Sequence, residues 1–161
     1  MRKTIAGLLI GAGTGVILGW LFRNRFRAMF DEPAEIVVDS GVAGPFISHV
    51  TEEVTVKTNK HVRWQITNNT GAEVLIELKG WEDLSHQPAP PAVSADPNDH
   101  ERPPQHGLSR QVPGRNHGNP GRRPLRGKAR EPRNGATEEK VKYAVHLNGP
   151  LAVDPIVKLI L

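Results

Sequence analysis

The sequence predicts a mainly β protein, a small antiparallel sandwich or barrel, with one membrane-spanning helix ahead of it and a long polar insertion within it. Three observations carry this. Apolar side chains recur at every second residue in short runs separated by turn signals. An uncharged run occupies the N-terminus. A stretch rich in Pro, Arg and Gly interrupts the β pattern. The chain divides accordingly into a transmembrane anchor and basic flank over 1–30, the first part of the β-domain over 31–83, a disordered insertion over 84–136 and the last strands over 137–161.

Thr4 to Phe22 is nineteen residues without a charge, and as a helix it covers about 28 Å, close to the hydrocarbon thickness of a bilayer. Trp20 and Phe22 stand at its end, where aromatic rings favour the headgroup boundary, and Arg23, Arg25 and Arg27 follow in the aqueous flank. The lipid bilayer is thus the first partner the sequence implies. The competing reading, a cleaved leader, is opposed by the length of the apolar run, the lack of an A-x-A site and the arginines that follow. Arg2 and Lys3 balance the downstream arginines, so the charge rule gives no orientation.

Gly7, Gly11, Gly15 and Gly19 lie four apart and share one helix face. Small residues mark faces where helices pack in lipid, because close backbone approach is what association rests on there. The span resembles glycine-zipper membrane segments, and the resemblance implies a homo-oligomer formed through the helix.

Each strand is then read from period two. Glu35–Asp39 is a short apolar run. Val54 and Val56 alternate with Thr55 and Lys57, and Asn59-Lys60 turns the chain into Val62, Trp64 and Ile66. Asn68-Asn69-Thr70-Gly71 is a turn signal, after which Val74, Ile76 and Leu78 alternate, with Leu75 breaking the pattern. Later come Val141, Tyr143, Val145 and Leu147, a turn at Asn148-Gly149-Pro150, and a nearly continuous apolar end, Ile156–Leu161. That last run, polar only at Lys158, is expected inside a sheet. These are six strands.

The order V-T-V-K-T-N-K-H-V-R-W-Q-I-T-N-N-T-G-A-E-V-L-I-E-L, followed by K-V-K-Y-A-V-H-L-N-G and G-P-L-A-V-D-P-I-V, resembles the cupredoxin-like Greek-key sandwich, in the manner of its metal-free relatives. The resemblance implies a domain on the outer side of the membrane, in a family that handles metal or redox partners. The copper-binding members need two His, one Cys and usually a Met. This chain has no Cys, and its methionines are Met1 and Met29, so a type 1 copper site is excluded.

Ser85–Gly135 holds ten of the fourteen prolines and eight arginines, against four large apolar residues, Val93, Leu108, Val112 and Leu125. So little apolar surface does not offset an ordering cost of about 1–2 kcal/mol per residue, and disorder is expected. Nine bases and four acids fall in this stretch, against twelve and thirteen elsewhere, so the net charge of +4 belongs to it. Three readings stand: a solvated loop, a basic arm contacting a membrane surface or nucleic acid, and a segment translated out of frame. No aromatic residue lies among its arginines to stack on bases, which makes nucleic acid the weaker partner.

No enzyme class rises from the motifs, so no catalytic residue, cofactor, metal ligand or small-molecule substrate is assigned. The absence of Cys excludes thiolate chemistry and Cys-based zinc or iron–sulfur sites. His86, His100, His106 and His117 have no metal-ligand spacing, and His49, His61 and His146 read as surface residues on or near strands. Asp39-Ser40 and Ser48-His49 are adjacent in sequence without the form of a nucleophile motif. Glu52-Glu53 and Glu138-Glu139 read as solvated strand edges, and Trp64 and Trp81 as core or rim packing. The chain is therefore expected to be a membrane-tethered, non-catalytic binding or structural protein.

Overall fold

The structure is a computed structural model and describes residues 31–95 and 108–161. The anchor residues Gly7, Gly11, Gly15 and Gly19 and the interface residues Trp20, Phe22, Arg23, Arg25 and Arg27 lie outside the described residues. Among the described residues, no helix is long and apolar enough to cross a membrane.

Eleven strands form among the described residues: β1 (Asp31–Gly41), β2 (Gly44–Val50), β3 (Glu53–Lys57), β4 (His61–Asn68), β5 (Val74–Asp83), β6 (Val93–Ala95), β7 (Leu108–Val112), β8 (Gly121–Ala129), β9 (Glu138–Leu147), β10 (Leu151–Val153) and β11 (Ile156–Ile160). They make two sheets, the first in the order β2-β1-β4-β8-β6 and the second in the order β3-β11-β9-β5-β7, with β10 added to β9. From β3 to β9 each successive strand crosses to the other sheet. The mainly β expectation is met, and each of the six expected strands is present. β11 lies between β3, which it pairs in parallel, and β9, which it pairs antiparallel, so the apolar C-terminal run is internal as expected.

Alternation decides what enters the core. On β4, Val62, Trp64 and Ile66 are buried and point to the second sheet, which answers with Val74, Ile76 and Leu78 from β5 and Val141, Tyr143 and Val145 from β9. Trp64 Nε1 donates to Tyr143 Oη at 2.9 Å, pairing a buried N–H that would otherwise cost about 1–3 kcal/mol. Trp81 stacks on the other side of Tyr143, with ring centroids 5.1 Å apart. Burial pushes the Tyr143 phenol well above its usual range, so it stays protonated.

The expectation of a structureless insertion over 84–136 is corrected for the described residues within it. β6, β7 and β8 lie there, and all four of its large apolar residues, Val93, Leu108, Val112 and Leu125, are buried in the common core. Their few side chains suffice because the other inward positions are filled by small residues or by an arginine stem. A Cβ on Gly127 would press on Val93 Cγ1, Ser94 O at 2.9 Å and Leu108 Cδ2, so the backbone of β8 approaches its neighbours more closely than any side chain allows. Arg110 takes a core-facing position on β7, is 8% exposed, and its Nε donates to Pro124 O at 2.9 Å, tying the two sheets together. Burial alternates within it, at 108, 110 and 112 and at 125, 127 and 129. Residues 96–107 lie outside the described residues.

Polar side chains fix both ends of the sandwich. Asn68 is fully buried at the end of β4; its Nδ2 faces the carbonyls of Ala72 (2.8 Å), Pro113 (3.0 Å) and Val112 (3.2 Å), and its Oδ1 accepts from Thr70 N. The Asn-Asn-Thr-Gly turn thereby holds the connection from β7 to β8, and the first asparagine of the triplet is a structural corner. At the other end, Glu139 accepts from Arg130 Nη1 (2.7 Å) and Nη2 (3.0 Å), from Arg133 Nε (2.6 Å) and from Arg133 N (2.8 Å). Glu139 is thus no solvated edge residue but a clamp between β9 and the segment leaving β8.

Candidate anion-binding face

The side chains opposite the core give the first sheet its outer surface. On β4 the residues between Val62, Trp64 and Ile66 are His61, Arg63, Gln65 and Thr67; on β8 those flanking Leu125, Gly127 and Ala129 are Pro124, Arg126 and Lys128, with Arg122 one step further. β4 and β8 pair antiparallel in a register that sets His61 opposite Lys128, Arg63 opposite Arg126, Gln65 opposite Pro124 and Thr67 opposite Arg122. Directly opposed residues share a face. Four cations, Arg63, Arg122, Arg126 and Lys128, therefore stand on one side of two adjacent strands.

No Asp or Glu occurs in β4, β6 or β8. The next strand toward the β2 edge, β1, adds Glu35 and Asp39 between its buried Ala34, Ile36 and Val38. Asp39 is committed locally: hydrogen bonds from Ser48 and then Asn69, whose Nδ2 lies 2.7 Å from Oδ1, hold its carboxyl below the usual range. At the edge of the sheet Phe46 pairs with Asp39 across β1 and β2, so it faces outward with the cations, about half exposed. The face thus runs from a paired cationic strip to an exposed aromatic ring.

The second sheet treats its charges differently. Lys140 Nζ meets Glu53 at 2.8 Å, Lys158 Nζ meets Glu138 at 2.8 Å and Lys79 Nζ meets Glu77 at 3.2 Å. The Lys158 ammonium lowers the Glu138 carboxyl, and Glu138 in turn raises Lys158. Arg130 and Arg133, also in the basic segment, both pair with Glu139, whose carboxyl the Arg130 hydrogen bonds pull down to about 2. Against this geometry, no protein-family model matches the chain, and comparison with curated proteins finds no similar sequence.

Other residues singled out by sequence are dispersed. His86 and His117 sit in connections with positive φ, His49 lies on β2 opposite Val37, and His146 Nδ1 is 2.7 Å from Gly149 O; His100 and His106 lie outside the described residues. Among the described residues, no group of three or more His, Asp or Glu is arranged to hold a metal. Across the β1–β2 hairpin the Ser48 hydroxyl donates to Val37 O at 3.4 Å, which braces that hairpin. Sequence reasoning found the arginines of 122–133 but not their order. The available signal was the every-second-residue spacing of Arg126 and Lys128 about Gly127, which is a strand pattern with small residues on the inner side.

Proposed function

We propose that this chain is a membrane-tethered, non-catalytic binding protein that uses the outer face of its first sheet, and that it self-associates through the Gly7, Gly11, Gly15 and Gly19 stripe of its anchor. The observation that carries the binding role is the Arg63–Arg126 pair. That register places Arg63, Arg122, Arg126 and Lys128 on one side of two adjacent strands, a surface whose charge suits a partner bearing negative charge. The cupredoxin-like reading of the sandwich is supported by the crossing of successive strands between sheets and by the internal last strand. It adds no chemistry to this face.

Two measurements on the full chain test the tether. Membranes washed at high carbonate pH are expected to retain it, and release into the supernatant would refute an anchored protein. Crosslinking in membranes is expected to give oligomers that Gly11→Leu with Gly15→Leu abolishes; an unchanged ladder would count against packing through the stripe.

A further inference from the structure

We infer that β3 is a self-recognition edge: two copies of the chain join their β3 strands antiparallel about a two-fold axis at Thr55, so that one sheet runs through both. This contact is separate from the glycine stripe and lies wholly within the β-domain.

β3 ends the second sheet, with β11 on one side of it and, among the described residues, no strand on the other. The direction of its backbone groups follows from the bonds at its two ends. Ile156 N donates to Glu52 O and Thr58 N donates to Ile160 O, both at 2.8 Å, so the even-numbered residues from 52 to 58 turn their peptide groups toward β11. In an extended strand these groups alternate sides, and Glu53, Thr55 and Lys57 therefore aim theirs at the open edge. Such a row of N–H and C=O groups is a template for another strand. The side chains alternate as well: Val54 and Val56 fill the core, while Glu53, Thr55 and Lys57 are exposed on the outer side.

The order Glu-Val-Thr-Val-Lys selects a second copy as the strand that pairs there. Turned end for end, it sets acid against base. A two-fold axis through Thr55 places Glu53 opposite Lys57 of the second copy, Thr55 opposite its own counterpart, and Val54 opposite Val56. Opposite charges and Thr–Thr pairs are both favourable directly across antiparallel strands, and the two-fold repeats the charge pair at each end. The same axis sets each Thr55 N–H against the other Thr55 carbonyl and each Lys57 N–H against the other Glu53 carbonyl. The Lys57 carbonyl already accepts from Lys60 N at 3.0 Å, so the ladder stops there. Glu53 keeps Lys140 Nζ at 2.8 Å, since a carboxylate has room for a second ammonium. The other edges of the sandwich resist such pairing. β2 carries Pro45, which has no N–H, and an irregular register against β1. β6 is three residues long, and a two-fold at the centre of β7 sets Arg110 against a second Arg110.

The absence of cysteine makes the test direct. Residues opposite each other in a hydrogen-bonded antiparallel pair have Cα atoms about 5.5 Å apart, within the span of a disulfide. The full chain carrying Thr55→Cys is oxidised mildly in detergent, in a Gly11→Leu, Gly15→Leu background that removes any contribution of the stripe. Thr55→Cys is expected to give a disulfide-linked dimer in most molecules. Ser109→Cys, exposed on β7 at the far edge of the same sheet, should stay monomeric. Equal crosslinking at the two positions, or none at Thr55→Cys, overturns the inference. Two further changes, made without cysteine and read by sedimentation velocity, bear on the pairing itself. Thr55→Pro removes an outward N–H and leaves the bonds to β11 in place, so the dimer should dissociate while Tm holds. Lys57→Glu, which sets acid against acid at both ends, should weaken the dimer several-fold, and Glu53→Lys added to it should restore it. A dimer indifferent to these substitutions overturns the inference. Failure of the stripe to associate chains in membranes leaves this contact standing, since the background chain lacks the stripe.

Discussion

The outer faces of the two sheets are both rich in cations, yet they dispose of charge in opposite ways. On the second sheet, Lys79, Lys140 and Lys158 each meet a carboxylate on the same face. On the first, Arg63 faces Arg126 and His61 faces Lys128, with no acid in the strands that carry them. Exposed ion pairs contribute little to stability, about 0–1 kcal/mol each, so the second face is close to neutral in energy and in charge. The first gathers Arg63, Arg122, Arg126 and Lys128 on one side of two adjacent strands.

The largest expected effect separates the faces by binding. Arg126→Gln with Lys128→Gln should weaken sedimentation with anionic vesicles by about 25-fold, at about fivefold per charge. Lys140→Gln with Lys158→Gln, which removes the same nominal charge from the other face, should change it by less than about twofold, since Glu53 and Glu138 are left uncompensated but distant from the strip. Equal losses from the two pairs would erase the distinction between the faces.

The next tests concern how the first face is held flat. Gly127→Ala drives a Cβ onto Ser94 O and the Val93 side chain, and urea titration should register a loss of about 3 kcal/mol, at the upper end of overpacking costs. Glu139→Gln should cost about 2 kcal/mol, because it removes charge-assisted bonds to Arg130 and Arg133. Its pH dependence has a definite sign. The folded-state pKa, about 2, lies below the ordinary 4.5, so the stabilisation is complete above 4.5 and is lost as pH falls from there through about 2. The Gln variant should lack that component of acid destabilisation. A variant that tracks the wild type down this window would remove Glu139 as the clamp.

The parts of the fold that were legible in the sequence are those whose inner positions are large and apolar. Val62, Trp64 and Ile66, or Val141, Tyr143 and Val145, declare a strand without help, and the run Ile156–Leu161 announced an internal one. β7 and β8 were hidden because their inner positions include Arg110, Gly121, Gly127 and Ala129, which a hydrophobicity reading counts as polar or empty. Small residues bury little surface of their own; they let backbones close up, and that requirement is visible only once Val93 and Leu108 are in place. β2 was hidden for another reason. The bulge between Val37 and Val38 and the half-exposed side chains of Phe46, Ser48 and His49 leave it without a clear period. The candidate face was legible as an excess of arginine but was assigned to a flexible arm. Its meaning depends on register, and a register is a property of two strands together.

The measurement that bears most directly on the central claim is a cross-strand disulfide in this cysteine-free chain. Arg63→Cys with Arg126→Cys places two thiols directly opposite each other on the outer side of β4 and β8, within the Cα separation a disulfide spans. Mild oxidation should close it in nearly every molecule, while Arg63→Cys with Leu125→Cys, one residue off and on the opposite side of the sheet, should remain reduced. If the second pair closes and the first does not, β8 is slipped by one residue, its cations turn inward, and the basic face does not exist.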